Sequence, residues 1–121
     1  MLNALAVFVG GGLGSLCRYA LGLYLPSGSF PFGTFVANLL ACFILGFLTG
    51  YLAKNTLSDP VKLLLGTGFC GGFSTFSTFS KESLLMGQDA LTFTAVSYVI
   101  LSLVFGILAV WTGIFLANIK V

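Results

Sequence analysis

Gly66-Thr67-Gly68-Phe69-Cys70-Gly71-Gly72-Phe73-Ser74-Thr75-Phe76-Ser77-Thr78-Phe79-Ser80 decides how the rest of the chain is read. It lies inside an apolar segment of spanning length, where a membrane helix is ordinarily built from Leu, Ile and Val. Here it holds four glycines, six hydroxyl side chains and four phenylalanines, and carries no charge. Glycine gives up the most backbone entropy in a helix, so the Gly71-Gly72 pair predicts unwinding between Gly71 and Ser74. Unwound backbone at bilayer depth survives only where protein or a water-filled cavity satisfies its N–H and C=O groups. The stretch therefore predicts a broken helix that lines or plugs a site.

The surrounding composition sets the class. The chain has 121 residues, 58% of them hydrophobic and 7% charged, with mean hydropathy +1.10. A soluble domain carries about 25% charged residues. The expected fold is an all-α membrane protein, one domain over 1–121 with spans at about 2–25, 32–53, 60–86 and 90–117. Each is long enough for the bilayer core. The first span lacks a basic leader and a small-residue cleavage site, which predicts that it is retained. Turns are expected at 26–31, at 54–60 and at 87–89, with Ser58 or Asp59 capping and Pro60 opening the third span.

The composition also excludes several chemistries. There is no His, and Cys17, Cys42 and Cys70 have unrelated spacings, so a metal site of thiolates and imidazoles is unsupported. The net charge of +2 is small and scattered, against a nucleic-acid partner. No base or nucleophile–base pair points to an enzyme. Glu82 and Asp89 read as a helix end and a turn, leaving no titratable group at mid-span for a proton-coupled pump.

What remains is a set of neutral donors. Asn38, deep in the second span, is either interhelical glue or an anion donor. Thr34 and Asn38 are spaced i, i+4 on one face, as are Tyr98 and Ser102. Ser77 and Thr78 add hydroxyls beside Phe76 and Phe79, whose ring edges are the positive end of the phenyl quadrupole. Such a lining can replace part of an anion's hydration shell, although packing is the common fate of phenylalanine in a span. Arg18 is either a snorkelling anchor or a cation at an aqueous vestibule. Gly10 and Gly14, and Gly33, Ala37 and Ala41, form small faces suited to close helix approach.

Three blocks carry a resemblance. Gly11-Gly12-Leu13-Gly14-Ser15-Leu16-Cys17-Arg18-Tyr19, Gly33-Thr34-Phe35-Val36-Ala37-Asn38 and the Gly68–Ser80 stretch resemble, in order and spacing, the signatures of the Fluc (CrcB-type) fluoride channels. The resemblance implies a dual-topology antiparallel dimer that passively exports fluoride from the cytoplasm across the cell membrane through two pores. It also implies a structural sodium ion at the dimer centre. By position, Phe76 and Phe79 match the aromatic box and Asn38 the pore carboxamide. Thr34, Ser77, Thr78, Tyr98 and Ser102 match the polar lining, and Arg18 the vestibule arginine. Gly71 and Ser74 match the residues whose main-chain carbonyls hold the sodium. Ser74 and Ala41 stand where Thr and Gly are common, and Gly106 lacks a hydroxyl that would prolong the polar track.

Charge placement fits a chain that inserts both ways. Lys54, Lys62 and Lys120 lie on one expected side and Arg18 and Lys81 on the other, a weak positive-inside bias. Carbonyls meeting from two broken helices would repel without a cation between them, and no Asp or Glu lies there to favour a divalent ion. The partner is then a second copy or a paralogous chain. The alternative is a small-multidrug-type proton-coupled exporter, which the first span disfavours because it offers Arg18 and no Glu. A non-transporting assembly factor is a third reading.

Overall fold

The computed structural model describes residues 1–25, 28–89 and 92–119. All its regular elements are helical. Helix α1 covers Leu2–Tyr24 and α2 covers Phe32–Leu52. The third span opens with α3, Asp59–Lys62, continues as a π-helical stretch over Leu63–Cys70 and returns to α-helix in α4, Gly71–Phe73. After an interruption it resumes as α5, Phe76–Gln88, and α6 runs over Thr92–Asn118. Residues 26–27, 90–91 and 120–121 lie outside the described residues, and with them the start of the first turn, the expected first residues of the fourth span and Lys120.

Three helices are long and apolar enough to cross a membrane, with mean hydropathy 1.4 for α1, 2.0 for α2 and 2.5 for α6. Only 6% of the apolar window of α6 is buried within the chain. A helix apolar on nearly all sides belongs in lipid or against another protein, and these three place the chain in the membrane as a multi-pass protein. The segment from Asp59 to Gln88, expected as the third span, is divided into shorter helices.

Small residues set the packing. A methyl group at Gly10 would collide with the Leu64 carbonyl, at Gly14 with the Phe69 carbonyl, and at Gly72 with the Gly11 carbonyl. So α1 lies against the first half of the third span with backbones nearly touching, both running in the same direction. The second pair is alike: Gly46 meets Val110, Gly113 meets Phe43 and Phe47, and Gly50 meets Ile114. Here α2 and α6 run in the same direction. Lys54 Nζ donates to the Asn118 carbonyl at 2.8 Å, joining the second turn to the end of α6 as the expected sidedness requires.

The interruption overlaps the expected Gly71–Ser74 only at Ser74 and spares the glycine pair. Gly71 is helical, with φ −64° and ψ −37°, and Gly72 is held inside α4. The chain leaves the helix at Ser74 (φ −78°, ψ 160°) and Thr75 (φ −154°, ψ 113°). Gly72 avoids a collision with Gly11, a packing need that outweighs its poor helix propensity. Asp59 opens α3 and Pro60 stands second, one place later than expected, after Ser58 as the N-cap residue, whose side chain makes no capping bond. The break shifts the third span sideways: α4 packs on α1, whereas α5 packs on α6.

Candidate functional site

Thr75 is the pivot of the break. Its hydroxyl accepts from the Thr78 N–H at 3.2 Å, capping α5, and donates to Thr78 Oγ1 at 3.0 Å. Ser77 Oγ lies 3.3 Å away on the same oxygen. A threonine is a good N-cap because its oxygen satisfies a donor that the first turn leaves open. The Thr75 N–H donates to Asn38 Oδ1 at 2.7 Å, and Asn38 Nδ2 donates to the Thr75 carbonyl at a longer 3.4 Å. In an unbroken α-helix Thr75 N–H would bond to the Gly71 carbonyl, and Thr78 N–H to the Ser74 carbonyl. Both donors have turned elsewhere, so the Gly71 and Ser74 carbonyls lose their helical partners.

Two cavities meet at Thr75. One, of about 300 Å³, is lined by Ser15, Arg18, Tyr19, Thr34, Thr75 and Thr78 among others. Arg18 is half-buried there and, among the described residues, pairs with no carboxylate. The other, of about 270 Å³, is lined by Asn38, Cys42, Thr75, Phe76, Phe79 and Ser102, with Ser74 and Leu103. It contains no charged side chain. Ser102 Oγ is buried and has no hydrogen-bond partner among the described residues, an arrangement that proteins rarely tolerate without a ligand or water. The Phe76 and Phe79 rings lie 6.0 Å apart at an interplanar angle of 37°. Phe79 also packs on Tyr98 at 5.0 Å, whereas Phe76 is 80% exposed at the rim of the cavity.

The structure thus gathers Asn38, Phe76, Phe79 and Ser102 around one cavity, and Arg18, Thr34 and Thr78 around the other. Ser77 is exposed and meets the Thr75 hydroxyl. Tyr98 lines neither cavity. It is fully buried, and its hydroxyl donates to Glu82 Oε2 at 2.9 Å. Thr34 Oγ1 donates to Glu82 Oε1 at 2.8 Å. Glu82 is therefore misread as a helix-end residue: it lies midway along α5 and turns inward to take two hydroxyls, one from α2 and one from α6. Its signal in the sequence was periodicity, since Thr78 and Glu82 are i, i+4 on one face of α5. The bonding of Asn38 to the Thr75 backbone left no signal, because it depends on where the break falls.

A family model described as "CrcB-like protein, Camphor Resistance (CrcB)" matches residues 5–114. The chain is 48% identical over 119 residues to a fluoride-specific ion channel FluC of Oceanobacillus iheyensis, covering 97% of this chain and 92% of that protein. It is 45% identical over 115 residues to the fluoride-specific ion channel FluC 2 of Bacillus subtilis, covering 93% and 86%. A channel of the same name from Phocaeicola vulgatus is 39% identical over 121 residues, covering 98% and 100%.

Proposed function

Because the chain belongs to the CrcB-like family, we propose that it is a fluoride channel that lets the anion leave the cytoplasm down its gradient. The observation that carries this reading is the uncharged cavity of Asn38, Phe76, Phe79 and Ser102, on a chain 39% to 48% identical to named fluoride channels. A weakly polarisable, strongly hydrated anion needs hydrogen-bond donors, and a fixed cation would hold it too tightly to conduct. Amide, hydroxyl and ring edges offer donors without that trap. Arg18, in the adjoining cavity, raises the local anion concentration before entry. Ser77 and Thr78 extend the hydroxyl lining, while Thr34 and Tyr98 act through the Glu82 carboxylate that both hydroxyls reach.

The functional unit in this reading is an antiparallel pair of chains in the cell membrane. Methyl groups at Gly12 and Gly71 would meet no atom within 4 Å among the described residues, and Phe76 is open to a neighbour. Small residues on an open face suit a second chain. The released Gly71 and Ser74 carbonyls fit a monovalent cation, being neutral oxygen donors with no carboxylate beside them. A sodium ion held there would supply fixed positive charge between two broken helices. The test is efflux from liposomes holding purified protein, followed with fluoride and chloride electrodes. Fast fluoride release with negligible chloride release is expected. Equal release of both anions, or none of either, would refute the channel reading.

A further inference from the structure

The break in the third helical segment takes N–H groups away from their helical acceptors, and that of Thr75 reaches across to α2. Backbone N–H is an obligate donor. The atom of the Asn38 carboxamide that faces it at 2.7 Å must therefore be the oxygen, independent of how the amide would otherwise be assigned. With Oδ1 committed, the NH2 group takes the other terminal position of the carboxamide, and Asn38 pairs with the N–H and the C=O of Thr75. One of its hydrogens reaches the Thr75 carbonyl at 3.4 Å, and the other remains for the cavity that Asn38 lines with Phe76, Phe79 and Ser102.

We propose that the Thr75 backbone amide, released by the helix break, is a positioning group that locks the Asn38 carboxamide with its donor edge toward the permeating anion. The inference rests on the reading of Asn38 as a pore residue and adds what holds it. A free carboxamide has two nearly isosteric orientations, related by a half-turn about its last bond. In one it offers hydrogens to an anion and in the other a partial negative oxygen. Nothing in the side chain alone chooses between them. A continuous helix would send Thr75 N–H to the Gly71 carbonyl and leave the choice open. The extended backbone at Thr75 instead points that N–H at α2, and the Thr75 hydroxyl holds the geometry by capping α5. Thr75 is 8% exposed and is the residue that borders both cavities, so the lock sits where an anion from the Arg18 side first meets the uncharged chamber.

An ester in place of the amide at residue 75, introduced with the hydroxy-acid analogue of threonine, deletes this one donor and keeps the side chain. Fluoride efflux from liposomes should fall about tenfold, equivalent to 1.4 kcal/mol, with the assembled protein still intact by size exclusion. In an Asn38→Ala background, the same ester should cause no further fall. Efflux at the parental rate from the ester protein would overturn the proposal. Asn38→Asp is measured in parallel, because it keeps the acceptor for Thr75 but places a carboxylate against the anion. If Asn38→Asp stays fully active, the pore reading of Asn38 itself fails. If Asn38→Asp is inactive while the ester is fully active, only the positioning role fails. Should the ester protein not assemble, nuclear magnetic resonance on the unmodified protein decides. An anion drawing on the NH2 group polarises the carboxamide and strengthens the bond at its oxygen. The Thr75 amide proton should then move downfield as fluoride is added, and an unmoved resonance would reject the lock.

Discussion

At the scale of single residues, the two phenylalanines that the sequence treats alike stand in different surroundings. Phe79 packs on Tyr98 and Phe76, while Phe76 is 80% exposed. Isoleucine keeps the bulk of either side chain but removes the ring quadrupole. Phe76→Ile should therefore slow fluoride efflux several-fold without lowering the melting temperature of the protein. Phe79→Ile should lower both, losing about 0.5–1.5 kcal/mol of aromatic pairing. Efflux that falls only in step with the melting temperature in both variants would make the pair packing residues only. Ser102 gives a second residue-scale expectation. Its buried hydroxyl lacks a partner among the described residues, and such a group costs about 1–3 kcal/mol to desolvate. Ser102→Ala should leave thermal stability unchanged or raised, yet reduce efflux if the hydroxyl serves the passing ion. A destabilised Ser102→Ala protein would mean that the hydroxyl has a structural partner instead. The residue types around the cavity were legible in the sequence because Asn38, Phe76, Phe79 and Ser102 are unusual company inside apolar spans. Glu82 and the buried Tyr98 were not. Their pairing joins α5 to α6 across a turn, and only the tertiary fold supplies that proximity.

At the scale of elements, the glycines separate into those that face the chain's own backbone and those that face outward. Gly72 abuts the Gly11 carbonyl, so Gly72→Ala forces α1 and α4 apart and should destabilise the fold by about 1–3 kcal/mol. Gly71 is its immediate neighbour, but a methyl group there meets no atom within 4 Å among the described residues. Gly71→Ala should leave helix content and single-chain stability unchanged while weakening association between chains. Circular dichroism melts and size exclusion of the two variants separate these outcomes. A Gly71→Ala protein that unfolds like Gly72→Ala would place the Gly71 face inside the single chain. The same contrast sets the break apart from the glycine pair. Propensity ranks both glycines as helix breakers, but the close approach to α1 holds Gly72 in a helical turn. The break falls two residues later, where the Thr75 hydroxyl caps a new helix and Asn38 takes up the freed N–H. The π-helical stretch before it, Leu63–Cys70, also lay beyond sequence reading, since its register has no pattern distinct from an apolar α-helix.

At the scale of the whole molecule, the proposed sodium ion would join the break to the proposed pairing of two chains. The Gly71 and Ser74 carbonyls have lost the donors they would hold in a continuous helix. Bare carbonyls at bilayer depth need a donor or a cation. In the proposed antiparallel pair, a two-fold axis passing beside them would bring the same two carbonyls from the second chain, giving four oxygens around one point. Four converging carbonyl dipoles repel, and a sodium ion turns that repulsion into attraction. The ion would bind only the assembled pair, so its binding free energy adds to association by mass action. Replacing sodium with a large organic cation throughout purification should therefore lower the melting temperature of the pair and slow fluoride efflux together. Restoring sodium should recover both, and no sodium should cross the membrane with the fluoride, because an ion on the proposed axis would lie outside either cavity. Gly71→Ala should blunt the response to sodium, since a methyl group on the facing surface keeps the four oxygens apart. Full stability and full efflux after exhaustive removal of sodium would sink the central ion. The two carbonyls would then need a donor from the second chain, and the break would owe its place to the Thr75 cap and its bond with Asn38.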